Sequence, residues 1–179
     1  SFKQKTYRSL RNKEQYHLGQ IYLIGTGKFH WQTEPLSVAS NKSKKKDDLT
    51  KKKAKKEILI FDGKALFSFS SGASYAIQYP TTNSKGIELK QLVDMIMHFD
   101  SLLEKYSIQD AFQEKNDVYL TLTPKGKSET KQVKLVVELV QSGQSKSTQI
   151  KELILYFEND NYSSFKFSNH REEKVDLSR

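Results

Sequence analysis

Apolar and polar residues alternate along most of this chain, and a period of two commits a sequence to half-buried β-strands. Phe2 to Leu10, Tyr16 to Leu23 and Phe29 to Thr33 are rich in aromatic and β-branched residues, with polar or glycine-containing breaks between them. Gly25-Thr26-Gly27 marks a turn between two of these segments. Ile58-Leu59-Ile60-Phe61 runs into Asp62-Gly63, a strong hairpin signal, after which Ala65, Phe67 and Phe69 share one face of the returning strand. Tyr75, Ile77 and Tyr79 continue the pattern as far as Pro80. From Gly86 the period lengthens. Leu89, Leu92, Val93, Ile96, Phe99, Leu103 and Tyr106 have the spacing of an amphipathic helix, with a break near His98-Phe99-Asp100. After Asn116-Asp117 the strands resume over Val118 to Thr123, Val133 to Val140, Ile150 to Phe157 and Tyr162 to Phe167. Pro124-Lys125-Gly126-Lys127 and Gln141-Ser142-Gly143-Gln144 supply turns.

Strands, one helical excursion and strands again predict a single antiparallel α+β domain over all 179 residues. One helix of about twenty residues is a small cover for about nine strands, so the surplus inward aromatics are expected to line a concavity. The chain is long enough to bury a core without staples. It has no cysteine, which excludes disulfides, thiolate metal sites and cysteine nucleophiles, and fits a periplasm as well as a cytosol. No apolar run is long enough for a transmembrane helix. No signal peptide opens the sequence, and Ser1-Phe2-Lys3-Gln4 reads as the start of a mature or trimmed chain.

The net charge of +9 is concentrated: Lys42 to Glu57 holds nine lysines against Asp47, Asp48 and Glu57, and the remainder is near neutral. This stretch, within an insertion spanning about residues 40–57, reads as a solvated hairpin loop or as a handle for an acidic partner or anionic lipid. Nucleic acid is not expected as a partner, since the run has no arginine for bidentate base contact and no interleaved aromatic for stacking. Catalytic patterns are missing. His17, His30, His98 and His170 have no metal-ligand spacing, and nucleophile-elbow, zincin and phosphate-loop motifs do not occur. Gly25-Thr26-Gly27 begins like a dinucleotide fingerprint but leads into Phe29-His30-Trp31, a strand in which His30 faces water. A non-enzyme without cofactor or metal is expected.

Several segments together resemble the LolA family of periplasmic lipoprotein carriers: Ser1-Phe2-Lys3-Gln4, Gly19 to Leu23, Gly27 to Pro35, Ile58 to Phe67 and Val118 to Lys125. They carry, in order, the family's S-F-x-Q, F-x-W, E-P, D-G-K and L-T-P-K. The resemblance implies a strongly curved antiparallel sheet forming an incomplete β-barrel, lidded by helix, around a hydrophobic cavity. It also implies a periplasmic, monomeric carrier. Such a carrier takes acylated lipoproteins from an inner-membrane ABC lipoprotein-releasing complex and passes them to an outer-membrane acceptor. A lipid- or acyl-sensing binding module on the same fold is the alternative. Phe29 and Trp31 match the F-x-W, Leu59 and Phe67 flank the Asp62-Gly63 turn, Leu92 and Ile96 lie on the helix stripe, and Leu153 matches a cavity wall. These seven line the acyl cavity or else pack as ordinary core. The chain departs from the family in four places, one of them the insertion Ser40 to Lys56 in place of a short loop. It starts without a helix before S-F-x-Q, it stops at Leu177-Ser178-Arg179 without an F-x-F-x-x-P segment, and Gly25 replaces an arginine thought to hold the lid closed.

Overall fold

The computed structural model describes residues 1–24, 27–36, 55–79, 93, 95–96, 102–142 and 145–171. Eleven strands form one antiparallel sheet. The N-terminal arm comprises β1 (Phe2–Arg8), β2 (Lys13–Ile24), β3 (Lys28–Pro35), β4 (Glu57–Phe61), β5 (Leu66–Ser70) and β6 (Ile77–Tyr79). A helical turn, α1 (Leu102–Lys105), leads into the C-terminal arm. That arm holds β7 (Tyr106–Glu114), β8 (Asp117–Pro124), β9 (Thr130–Ser142), β10 (Ser145–Phe157) and β11 (Tyr162–Phe167). The spatial order is β6-β5-β4-β3-β2-β1-β11-β10-β9-β8-β7. Every neighbour pair is therefore a sequential hairpin except the central seam, where the first strand meets the last. The segment carrying α1 joins the two outermost strands, and the sheet does not close.

Register sorts the side chains onto two faces. Phe2 lies opposite Gly19 and Phe167, Trp31 opposite Ile21 and Leu59, and Leu153 opposite Leu135 and Phe165. Strands hydrogen-bond about 4.8 Å apart, so eleven laid flat would span close to 50 Å. Yet inner-face residues from Leu66 on β5 to Tyr106 on β7 belong to one buried cluster, together with Val93, Met95 and Leu102. Only a sheet curled about that cluster brings them together.

One glycine shapes the curl. A Cβ on Gly19 would fall on the ring of Phe2 and within 2.6 Å of the backbone oxygen of Gln32. With hydrogen there instead, the Phe2 ring crosses β2 and meets Trp31 two strands away, with centroids 4.4 Å apart. Glycine inside a strand commonly marks such a close approach.

Three sequence expectations change. Among the described residues the strands number eleven, because Tyr106 to Glu114 is β7 and not the end of a helix followed by a loop. Its period breaks at Gln109, where the register slips between Ile108 and Asp110, and Ser107 through Glu114 are all exposed. A bulged, exposed strand has no clean apolar alternation to read. Tyr106 is correspondingly a strand residue, though buried. The Asp62-Gly63 hairpin forms, with Asp62 N–H donating to Ala65 and Gly63 at φ 97°. Its loop sets Leu59 opposite Ser68 and Ile60 opposite Phe67, so the buried face of β5 belongs to Leu66 and Ser68, and Phe67 lies on the other face. Finally, His30 does point away from Phe29 and Trp31, but it stacks on Tyr22 (5.6 Å, 21°) with Nε2 buried.

Candidate functional site

The inner face is a belt of apolar side chains. Phe2 anchors it, against Trp31 at 4.4 Å and Phe165 at 6.1 Å, while Trp31 meets Phe165 edge-on at 5.7 Å. Offset and edge-on ring pairs of this kind add about 0.5–1.5 kcal/mol beyond the area they bury. Phe29 packs on Phe61 at 5.6 Å. On the far side of the seam Leu153, Val133 and Leu135 are at most 1% exposed. Val93, Met95 and Leu102, from the segment that joins the edge strands, close over this belt and are themselves 2–4% exposed.

Four of the seven expected site residues, Phe29, Trp31, Leu59 and Leu153, lie together in this cluster. Ile96 is partly buried and packs against it. Phe67 is a correction: β5 presents it to the outer face beside Ile60, away from the belt. Leu92 lies outside the described residues, as do Gly25 and the lysine run up to Ala54. At the end of that run Lys56 stands 4.0 Å from Glu34. The reading missed Phe2, Phe165 and Met95, all buried in the cluster. Strand parity could have found the first two, since Phe2 and Phe165 occupy alternating apolar positions just as Phe29 and Trp31 do.

At one end the inner face turns polar. Beyond Phe2 and Phe165, Gln4 donates from Nε2 to the Thr6 hydroxyl at 3.3 Å, and the hydroxyls of Thr6 and Ser163 are 3.5 Å apart. His17 stands opposite Gln4 and Pro35, its Nδ1 buried without a hydrogen-bond partner. Burial holds its imidazole below the ordinary range, against a weaker upward pull from Glu57. Two clefts, of about 330 and 400 Å³, lie near the β10–β11 turn, lined respectively by residues such as Gln132 with Tyr156 and Thr6 with Asn161. None of the seven expected residues lines either cleft. Among the described residues the belt side chains are buried against one another and against Val93, Met95 and Leu102.

The belt can exclude water and make dispersion contacts. Among the described residues it presents no nucleophile–base pair, and no three His, Asp or Glu side chains gather as metal ligands.

No protein-family model matches the sequence, and no curated protein does. Solved structures with some likeness exist. One is described as a "putative outer membrane lipoprotein-sorting protein domain" from Vibrio parahaemolyticus: 7% identity, TM-score 0.40, covering 94% of this chain and 81% of that one. A second is MucB in complex with MucA(peri), at 12% identity and TM-score 0.37, covering 93% and 48%. A third is the C-terminal domain of gp131 from bacteriophage phiKZ, at 10% identity and TM-score 0.25, covering 86% and 53%. This chain spans about half the length of the last two. Likenesses at these values carry no argument about function, which rests on the geometry of the chain itself.

Proposed function

We propose that the inner face shelters the acyl chains of lipidated proteins and that the chain is a non-enzymatic carrier of them. The observation that carries this reading is how the cover is joined to the sheet. Val93, Met95 and Leu102 cover the belt, stand in sequence between the two edge strands and belong to none of the described strand pairings, so an acyl chain can take their place without cost to those pairings. Burying a CH₂ is worth roughly 0.8 kcal/mol, so one long acyl chain left in water costs on the order of 10 kcal/mol. A belt that trades contacts with its own cover for contacts with such a chain would offset much of that cost. It would also release the chain readily, because no strong polar anchor holds it. The polar end at Gln4, Thr6 and Ser163 suits the head of an amphipathic ligand whose tail lies along Phe2, Trp31 and Phe165. The resemblance in the sequence extends this to a periplasmic route, from an inner-membrane ABC releasing complex to an outer-membrane acceptor.

The test is incubation with inner-membrane vesicles loaded with labelled lipoprotein and energised for release. The carrier brings the label into the soluble fraction and delivers it to outer-membrane vesicles. If the label stays with the donor vesicles the reading is wrong, and if it becomes soluble without delivery the chain is an acyl-binding module only.

A further inference from the structure

We propose that the outer edge of β7 is a docking site for an extended basic segment of a partner protein, which adds to the sheet as a further strand. The two edges of this sheet are treated differently. On one side β6 has three residues, too few to template another chain. On the other, β7 has nine, and Ser107 through Glu114 are exposed throughout. An edge strand presents a row of unpaired N–H and C=O groups, and proteins usually blunt it by shortening it, by lysine or by proline. β7 is long and carries neither lysine nor proline. Its one irregularity, the slip at Gln109, leaves Asp110 to Glu114 in unbroken register with β8.

The chemistry of this stretch selects the occupant. Asp110, Phe112 and Glu114 alternate and so share the outer face. The Phe112 ring lies parallel to Tyr119 at 4.7 Å and 4°, yet remains 54% exposed. Neither carboxylate forms an ion pair with another described residue. The edge therefore offers an acid, an aromatic and an acid at two-residue spacing. A strand lying against it with lysine or arginine beside the acids and an apolar side chain beside Phe112 meets both charges and the ring. A second copy of β7 in antiparallel register would bring four carboxylates together, which disfavours self-pairing.

The probes are a blocked nine-residue peptide, as long as β7, in which lysine and valine take turns at every second position with serine between them, so that both face the same side, and its counterpart with glutamate for lysine. Each is added to the whole chain while backbone amide exchange is followed by NMR, at low and at physiological salt. The lysine peptide should protect amides within Ser107 to Glu114 and leave those of β6 unchanged, and the glutamate peptide should protect none. The double variant Asp110→Lys/Glu114→Lys should weaken the lysine peptide about tenfold and favour the glutamate peptide, with Asp110→Asn/Glu114→Gln falling between. Equal binding of both peptides, protection elsewhere, or no binding overturns the proposal. So does protection of β7 without peptide: in dilute protein it means that another part of this chain covers the edge, and if it grows with protein concentration a second copy does.

Discussion

Gly19 and His17 stand two residues apart on the inner face of β2, and each makes a measurable demand on its surroundings. Replacing Gly19 with alanine places a methyl group where the Phe2 ring and the Gln32 carbonyl already sit. Overpacking of this kind costs about 1–3 kcal/mol, and the backbone contact prevents relief by side-chain rotation alone. Gly19→Ala is expected to lower the urea midpoint without changing the slope. Combined with Phe2→Leu it should cost less than the sum of the two, because both act on one contact. For His17 the folded chain holds the imidazole below its ordinary value of 6.5 through burial. The unfolded chain then takes up the proton first as pH falls, so this residue's contribution is intact above the unfolded value and is lost on acidification below it. Urea midpoints measured from pH 7 down to about pH 5 should fall more steeply for the native chain than for His17→Gln. Parallel curves would mean that His17 is not the group responsible.

At the scale of elements, what the sequence reveals depends on how many faces of a strand are buried. Strands such as β3, with Phe29, Trp31 and Thr33 inside and His30 and Gln32 outside, show the alternation plainly and were legible. β5 was not, because Leu66, Phe67 and Phe69 make both of its faces apolar, and only the register set by the Asp62 loop decides between them. That loop is held by the Asp62 carboxylate, which accepts from the N–H groups of Lys64 and Ala65 at 2.8 Å each. Those two bonds keep its pKa below the usual range. Leu59→Ala, on the buried face, should cost about 2–5 kcal/mol. Phe67→Ser, on the outer face, should cost clearly less; equal losses by chemical denaturation would contradict the register. β7 escaped the sequence for the opposite reason, since an edge strand exposed on both faces has little apolar signal to display. Membership of the buried belt was legible only as far as parity was: Phe29, Trp31, Leu59 and Leu153 lie in it together, and Phe67 does not.

For the whole molecule, the single tryptophan reports on the belt. Trp31 is 3% exposed and wedged between Phe2 and Phe165. Fatty acids brominated along the chain should quench its emission if acyl chains reach the inner face, while bromide ion in solution should quench it little until the protein unfolds. Quenching by the ion but not by the lipid would place the acyl chain elsewhere. The central seam has a separate consequence, for the order of assembly. Each arm is a succession of hairpins that can zip locally, whereas the seam aligns Ser1 with Ser168, residues 167 apart in sequence. Closing so long a loop is entropically unfavourable until both arms exist, so the seam belongs to the late steps of folding. Weakening substitutions in β1 or β11 should therefore speed unfolding and leave the refolding rate nearly unchanged. Nascent chains would pass through a stage in which the N-terminal arm, already ribbon-like, waits with one edge of β1 open until β11 has been synthesised.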